Sequence, residues 1–102
     1  MDRVVRLKEL LQENPEDSFA RYGLAMEYAK QGSLEAALAE FQALIARDAD
    51  YVAVYFQAGQ TLEKLQRVDE ACQMYRQGIE VAARLGDAHS RSELQEALDF
   101  LE

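Results

Sequence analysis

The sequence contains few residues that break helices or link chain segments covalently. Of its 102 residues, one is proline, five are glycine and one is cysteine. Because proline and glycine are the residues that most often interrupt helices, their scarcity predicts a mostly helical chain. The single cysteine, Cys72, has no partner for an internal disulfide. This is typical of a reducing compartment, and we therefore expect a cytoplasmic protein.

Long apolar stretches are also missing. No apolar run approaches the roughly 20 residues that a membrane-spanning helix needs. The first residues, MDRVVRLKELLQEN, are charged and amphipathic, unlike the apolar centre of a secretory signal. We therefore expect neither a membrane span nor a signal peptide.

Positive charge is scarce. Eleven Lys and Arg residues stand against 19 Asp and Glu residues, which gives a formal net charge of -8 at pH 7. Neutralising nucleic-acid phosphates or anionic lipid headgroups needs an excess of basic side chains. The composition thus argues against nucleic acid and membranes as partners. A basic or apolar protein segment suits so acidic a chain better than an acidic one.

Groups that could carry catalysis are few. The only histidine, His89, is expected at the surface or in side-chain packing, and Cys72 is expected to fill the core beside Ala71. Neither has neighbours spaced for zinc, which takes about four ligands. Gly32 and Gly59 stand alone, so no phosphate-binding loop is indicated. We therefore expect no catalysis, no metal and no cofactor.

What the sequence does contain is a repeat, because side-chain types recur about 34 residues apart. The corresponding pairs are Ala25 and Gly59, Tyr28 and Leu62, Leu34 and Val68, Ala37 and Ala71, Phe41 and Tyr75, and Ile45 and Ile79. One interval earlier, Val4, Leu7, Leu10 and Leu11 correspond to Leu38, Phe41, Leu44 and Ile45. A helix therefore precedes the first full unit. The small residues allow two helix backbones to approach closely, and the large ones fill the space between successive pairs.

These residues resemble the tetratricopeptide repeat, whose units have about 34 residues. The matching residues are Leu24, Ala25, Tyr28, Gly32, Ala37 and Phe41 in the first unit, and Tyr55, Ala58, Gly59, Leu62, Ala71 and Tyr75 in the second. Pro15 stands at the turn before the first unit. The departures are Arg21 at the aromatic position, Gln66 at the turn glycine, and Ala49 and Ala83 at the turn proline. Without a glycine, the turn at Gln66 is expected to be looser than the turn at Gly32.

The resemblance implies an all-α fold: an α-solenoid of antiparallel helix pairs that winds into a right-handed superhelix of about six helices. We expect one domain over residues 1–102, with an N-terminal helix at 1–14, a first repeat at 18–51, a second repeat at 52–85 and a C-terminal capping helix at 86–102. Apolar periodicity and capping residues predict helices at about Asp2–Glu13, Asp17–Lys30, Leu34–Arg47, Tyr51–Leu65, Val68–Arg84 and Asp87–Leu101.

Two details of these helices are also predicted. The last helix has two candidate N-caps, Asp87 and a capping box from Ser90 to Glu93, and the sequence does not decide between them. Gly78, inside the fifth helix, is expected to mark a close crossing by the next helix, since a helical glycine costs roughly 1 kcal/mol relative to alanine.

A binding surface is implied by the same resemblance. In this family the concave side is lined by the first helix of each pair. The implied partner-contacting residues are Phe19, Tyr22, Met26, Lys30, Phe56, Gln57, Gln60, Lys64, Ser90 and Arg91. Helix geometry supports part of this set, because Phe19, Tyr22 and Met26 are three and four residues apart and form one stripe. Two interpretations stay open: Phe19 and Tyr22 pack against the first helix, or they line an apolar groove for a peptide or partner helix.

We therefore expect a protein-interaction module or scaffold without catalysis. The alternative is a structural role as a homodimer, formed through the apolar stripe or the repeat ends. Some members of the family hold a terminal carboxylate with Lys and Asn residues. The corresponding positions here hold Tyr22, Met26, Gln57, Asp87 and Arg91. Only Arg91 suits a carboxylate, so that ligand is not expected.

Overall fold

The computed structural model describes residues 2–102; Met1, which the predicted N-terminal unit includes, lies outside this range. Six α-helices make up the described chain, and no strand occurs in it. They are α1 (Arg3–Glu13), α2 (Ser18–Lys30), α3 (Leu34–Arg47), α4 (Ala53–Lys64), α5 (Val68–Leu85) and α6 (Ala88–Leu101). The all-α prediction is thus confirmed. Within residues 2–102, every helix is too short or too polar to cross a membrane.

Aspartates begin three of the helices. The side chains of Asp2, Asp17 and Asp87 accept hydrogen bonds from the backbone N–H groups of Val4, Ala20 and Ser90, each at 3.0 Å. Such bonds satisfy N–H groups that the first turn of a helix leaves unpaired. Asp87, rather than the capping box, therefore starts α6. Ser33, which precedes α3, makes no such side-chain bond.

The turns that end α2 and α4 have the same conformation. Gly32 has a φ of +82° and Gln66 a φ of +64°, both in the left-handed region. The residue that follows each of them donates its backbone N–H to a carbonyl in the last turn of the helix, at 2.8 Å in the first repeat and 2.9 Å in the second. The expectation of a looser second turn is therefore wrong. Gln66 adopts a backbone conformation that favours glycine, at a cost of roughly 1 kcal/mol.

Each helix packs chiefly against its neighbours in sequence, as in a helical repeat. The molecule is correspondingly elongated, with extents of 40 × 29 × 19 Å. The main core is formed by residues of all five helices from α2 to α6. Phe41 and Tyr75 are fully buried in it, at corresponding points of the two repeats. A smaller cluster joins α1 to α2 through Val4, Leu11, Ala20 and Leu24.

Gly78 lies at a close crossing of three helices. A Cβ atom there would stand 2.6 Å from the Cβ of Tyr55 in α4 and 3.0 Å from Cδ1 of Leu94 in α6. The expected approach of the next helix is confirmed, and the preceding helix comes closer still. Only glycine leaves room for both neighbours.

Arg21 replaces the aromatic residue of the first repeat and makes the same attachment as Tyr55 in the second. The Tyr55 hydroxyl donates to the carbonyl of Ala49, at 2.6 Å. Arg21 donates to the carbonyl of Pro15, at 3.3 Å, and pairs with Glu40 at 2.8 Å. Pro15 and Ala49 are 34 residues apart, as are Arg21 and Tyr55. Both side chains thus hold the turn that precedes their helix.

The last helix departs from the 34-residue register. Helix α5 has 18 residues, whereas its counterpart α3 has 14. The buried residues of α6, Leu94 and Leu98, stand 36 residues after the buried Ala58 and Leu62 of α4. The interval between corresponding residues of α4 and α6 is therefore two residues longer than the repeat interval. Each residue of α6 thus lies on a different side of the helix from the one that the 34-residue interval indicates.

Candidate functional site

A groove runs between α4 and α6. Both helices pack along α5 but contact each other very little. The space between them is about 370 Å³ and is lined by Phe56, Gln60 and Glu63 of α4 and by Glu93, Glu96, Ala97 and Phe100 of α6. The α4 residues are four and three residues apart, and the α6 residues have the i, i+3, i+4, i+7 spacing of one helix face, so each helix contributes one stripe. We call this feature the α4–α6 groove.

Tyr75 of α5 forms a hydrogen-bonded support beneath the groove. Its hydroxyl donates to the carboxylate of Glu63 and accepts a hydrogen bond from Nε2 of Gln60 at 2.7 Å. Its ring centre lies 6.2 Å from that of Phe56. Burial, followed by the neighbouring Glu63, raises the pKa of Tyr75 above its usual value. Three groove residues are thus fixed by one buried side chain.

The groove combines carboxylates with aromatic surface. Glu63 and Glu96 form no ion pair with any Lys or Arg within residues 2–102. Glu93 lies 3.9 Å from Nε2 of His89, which carries charge only when it is protonated. Phe100 is 86% exposed. No Lys or Arg is among the lining residues. The site therefore presents negative charge around an apolar surface.

The predicted α2 residues have different environments. Tyr22 is partly buried, with its ring centre 6.1 Å from that of Phe41 and 5.4 Å from that of Tyr51. Gln57 of α4 lies beside its hydroxyl, and burial raises the pKa of Tyr22. Met26 packs against the main core. Phe19 is 79% exposed.

The packing of Phe19 and Tyr22 against the first helix, which the sequence left open, is not found. The cluster between α1 and α2 contains neither residue. Tyr22 packs on α3 and on the turn before α4 instead, and Phe19 remains exposed. The structure therefore brings Tyr22 and Gln57 together and, separately, Phe56 and Gln60. Lys30 and Lys64 are exposed in the last turns of α2 and α4, where a positive charge is favourable.

Arg91 lies away from the α4–α6 groove. It lines a separate pocket with residues at the end of α5 and the start of α6, namely Ala82, Ala83, Gly86, Asp87 and Ala88. The Asp87 carboxylate is engaged there as the N-cap of α6 and accepts from the Ser90 hydroxyl at 2.7 Å. In the shifted register Arg91 corresponds to Tyr55, and Glu93 corresponds to Gln57.

The groove residues of α6 were missed because the repeat interval was carried unchanged into the last helix. Glu93, Glu96, Ala97 and Phe100 line the groove, whereas the interval had indicated Ser90 and Arg91. A signal was present in the sequence. The apolar residues Leu94 and Leu98 match the core positions Ala58 and Leu62 only when two residues are added to the interval.

The two groups with potential reactivity have the predicted positions. The side chain of His89 is 89% exposed, and Cys72 is buried. Within residues 2–102, no three potential metal ligands from His, Cys, Asp or Glu come together. Neither residue lines the α4–α6 groove.

The stacked helix pairs and the groove between alternate helices define a helical-repeat protein. The family model for the tetratricopeptide repeat matches residues 2–82. The chain belongs to the tetratricopeptide repeat family. No curated protein matches it.

Solved structures agree with this assignment. A tetratricopeptide repeat domain protein from Salinibacter ruber, determined by NMR in solution, is 45% identical, with a TM-score of 0.83 over 87% of this chain and 90% of that one. A crystal structure of a tetratricopeptide repeat domain protein from the same organism is 44% identical, with a TM-score of 0.78 over 83% and 94%. A protein from Bordetella parapertussis is 27% identical, with a TM-score of 0.86 over 99% and 88%.

Proposed function

We propose that this chain is a protein-interaction module that binds a peptide or a partner helix on the face formed by α2, α4 and α6. Tetratricopeptide repeats generally act as non-catalytic scaffolds that bind proteins. The observation that carries the proposal is Phe100, a large apolar side chain that is 86% exposed beside the partly buried Phe56. An exposed aromatic residue in a groove offers a partner apolar surface, and binding removes that surface from water.

The proposed contact residues extend along this face. Phe19 contributes exposed aromatic surface, Tyr22 and Met26 contribute their exposed edges, and Lys30 and Lys64 lie at its edge. Gln57 and Gln60 offer side-chain amides to a bound backbone. The residues of this face that line the α4–α6 groove include Phe56, Glu63, Glu93, Glu96 and Phe100. The single buried Cys72 suits a cytoplasmic location, which we also propose.

The test is crosslinking and affinity capture from the cells that make the protein, with three forms compared. Phe100→Ala is expected to lose the captured partner while keeping the wild-type circular dichroism spectrum. Leu85→Ala is the matched control, because Leu85 is also exposed, at 47%, but does not line the groove. Equal capture by Phe100→Ala and wild type would contradict the proposal.

Light scattering over a range of concentrations tests the alternative of a structural homodimer. A mass equal to one chain throughout supports the interaction module. A stable dimer that Phe100→Ala dissociates would instead assign the groove to self-association.

A further inference from the structure

We infer that the α4–α6 groove binds a basic segment of a partner protein, in which Lys or Arg residues flank one large apolar side chain. This inference rests on the proposed function and adds the chemistry of the partner. It comes from three features of the groove: the charge of its lining, the way in which Glu63 is held, and its aromatic surface.

The first feature is uncompensated negative charge. The lining contains three carboxylates, Glu63, Glu93 and Glu96, and no Lys or Arg. Carboxylates on facing walls of one groove reinforce each other's field, because both walls have low dielectric constant. A Lys or Arg placed between them would form charge-assisted hydrogen bonds, which are roughly twice as strong as neutral ones.

The second feature is that Glu63 is held in place. The hydroxyl of the buried Tyr75 donates to its carboxylate, and the Gln60 amide is held by the same hydroxyl. A carboxylate fixed before binding loses less side-chain entropy when a ligand arrives than a free one does. The Glu63 carboxylate can still accept hydrogen bonds from a cation, since an ionised carboxylate accepts several of them.

The third feature is the apolar surface between the carboxylates. Phe56, Ala97 and Phe100 line the same space, and its volume of about 370 Å³ accommodates one large side chain together with part of a backbone. The exposed ring of Phe100 also offers a face to a guanidinium or ammonium group, which aromatic rings attract. The groove therefore suits an apolar side chain with cationic neighbours.

Charge also disfavours other occupants. An acidic segment would bring like charges together, which is unfavourable in a close interface. A second copy of this chain, joined by a two-fold axis through the groove, would bring the three groove carboxylates of both copies into one interface. The chain's net charge of -8 opposes that contact further.

The experiment uses the full chain and four capped synthetic peptides. The first has one tryptophan flanked by lysines, the second has glutamates in place of the lysines, the third has glutamines, and the fourth keeps the lysines but has alanine in place of the tryptophan. Binding is followed by NMR chemical shifts of the backbone amides and by titration at low and high salt. We expect the lysine–tryptophan peptide to shift residues of the α4–α6 groove and to bind at least about tenfold more tightly than the other three, with an affinity that falls as salt rises.

Two pairs of substitutions make the test specific. Glu93→Gln with Glu96→Gln removes two charges from the groove and is expected to weaken binding of the lysine–tryptophan peptide by roughly tenfold. Glu9→Gln with Glu13→Gln removes two charges from exposed residues of α1 and is the matched control. It is expected to leave the affinity nearly unchanged. An equal loss in both double variants would show that only net charge matters and would overturn the inference.

The inference and the proposed function fail in different ways. If the glutamate or glutamine peptide binds in the groove as tightly as the lysine–tryptophan peptide, the inference about the partner's chemistry is overturned. The proposed binding face is then still supported. If the lysine–tryptophan peptide shifts residues outside α2, α4 and α6, or if no peptide binds, the inference is overturned. Capture of a partner that persists in Phe100→Ala contradicts the proposed function itself.

Discussion

The ring of Tyr75 lies directly against the backbone of Gly59. A Cβ atom at Gly59 would stand 2.2 Å from Cε1 of that ring, far inside van der Waals contact. This contact allows the Tyr75 side chain to lie along the α4 backbone and hydrogen-bond Glu63 of the same helix at the groove. Because Gly59 has no side chain, Tyr75 can hold the carboxylate of Glu63 at the candidate site.

Substituting Gly59 by alanine should therefore destabilise the protein. The added methyl group must displace the fully buried ring of Tyr75, and overpacking of this kind costs roughly 1 to 3 kcal/mol. Gly23→Ala is the matched control, because its Cβ would meet only Leu7, at an ordinary 3.5 Å. That variant should be more stable than wild type by roughly 0.5 to 1 kcal/mol, since alanine is the better helix former. Urea unfolding measures both, and a neutral Gly59→Ala would refute the proposed packing.

Gln66→Gly should stabilise the protein by about 1 kcal/mol. Gln66 has a φ of +64°, where glycine lacks the steric cost of a Cβ atom. The reverse change in the first repeat, Gly32→Gln, should destabilise by a similar amount, because Gly32 has a φ of +82° and nothing around it would otherwise obstruct a side chain. Thermal and urea unfolding of the two variants give the comparison. Equal stability of Gln66→Gly and wild type would show that the turn is not strained.

Stability should decrease in alkaline solution. Burial raises the pKa of Tyr22, Tyr51, Tyr55 and Tyr75 in the folded protein, with Glu63 adding to the effect at Tyr75. The unfolded chain releases these protons near pH 10, whereas the folded chain retains them. The resulting stability is therefore fully present below about pH 10 and is lost as the pH rises further.

Tyr75→Phe should reduce this alkaline dependence, because Tyr75 has the largest increase in pKa of the four tyrosines. The measurement is the free energy of unfolding between about pH 8 and pH 11, combined with ultraviolet titration of tyrosinate. Tyr51→Phe, at a less buried position, should change the dependence less. An alkaline profile of Tyr75→Phe identical to that of wild type would contradict the assigned environment.

Asp87 should stabilise α6 in a pH-dependent way. The backbone N–H of Ser90, followed by the Ser90 hydroxyl, holds the pKa of Asp87 below its usual value. Its contribution is therefore present above the unfolded-state pKa near 4 and is lost as the pH falls through the lower folded-state value. Asp87→Ala should melt at a lower temperature than wild type at pH 7, and the difference should shrink in strong acid. Asp87→Asn, which caps without titrating, should keep its cap throughout.

The repeat positions could be predicted from the sequence because they are set by contacts that recur at a fixed interval. Ala25, Ala37, Gly59 and Ala71 are small where helices cross, and Phe41 and Tyr75 are large where pairs meet. Such packing depends on local helix geometry and on the nearest neighbours along the chain. The predicted helix limits lie within two residues of the observed ones, and the bounds of α3 are the same.

Two features were not predictable from the interval alone. The turn at Gln66 keeps its left-handed conformation without a glycine, because the hydrogen bond that closes α4 outweighs the local preference of glutamine. The groove-lining residues of α6 were misassigned because the 34-residue interval was applied past α5, which is four residues longer than α3. Gly86, with a φ of +72°, ends α5 at Leu85.

The length of α5 thus bears on the charge of the groove, whose lining residues belong to α4 and α6. Two residues correspond to a rotation of about 200° around a helix axis. In the 34-residue register, Ser90 and Arg91 would occupy the side of α6 that faces the groove, whereas the observed register places Glu93 and Glu96 there. In a protein built of stacked hairpins, the charge of a groove thus depends on the register between neighbouring helices as well as on the residue types at the repeat positions.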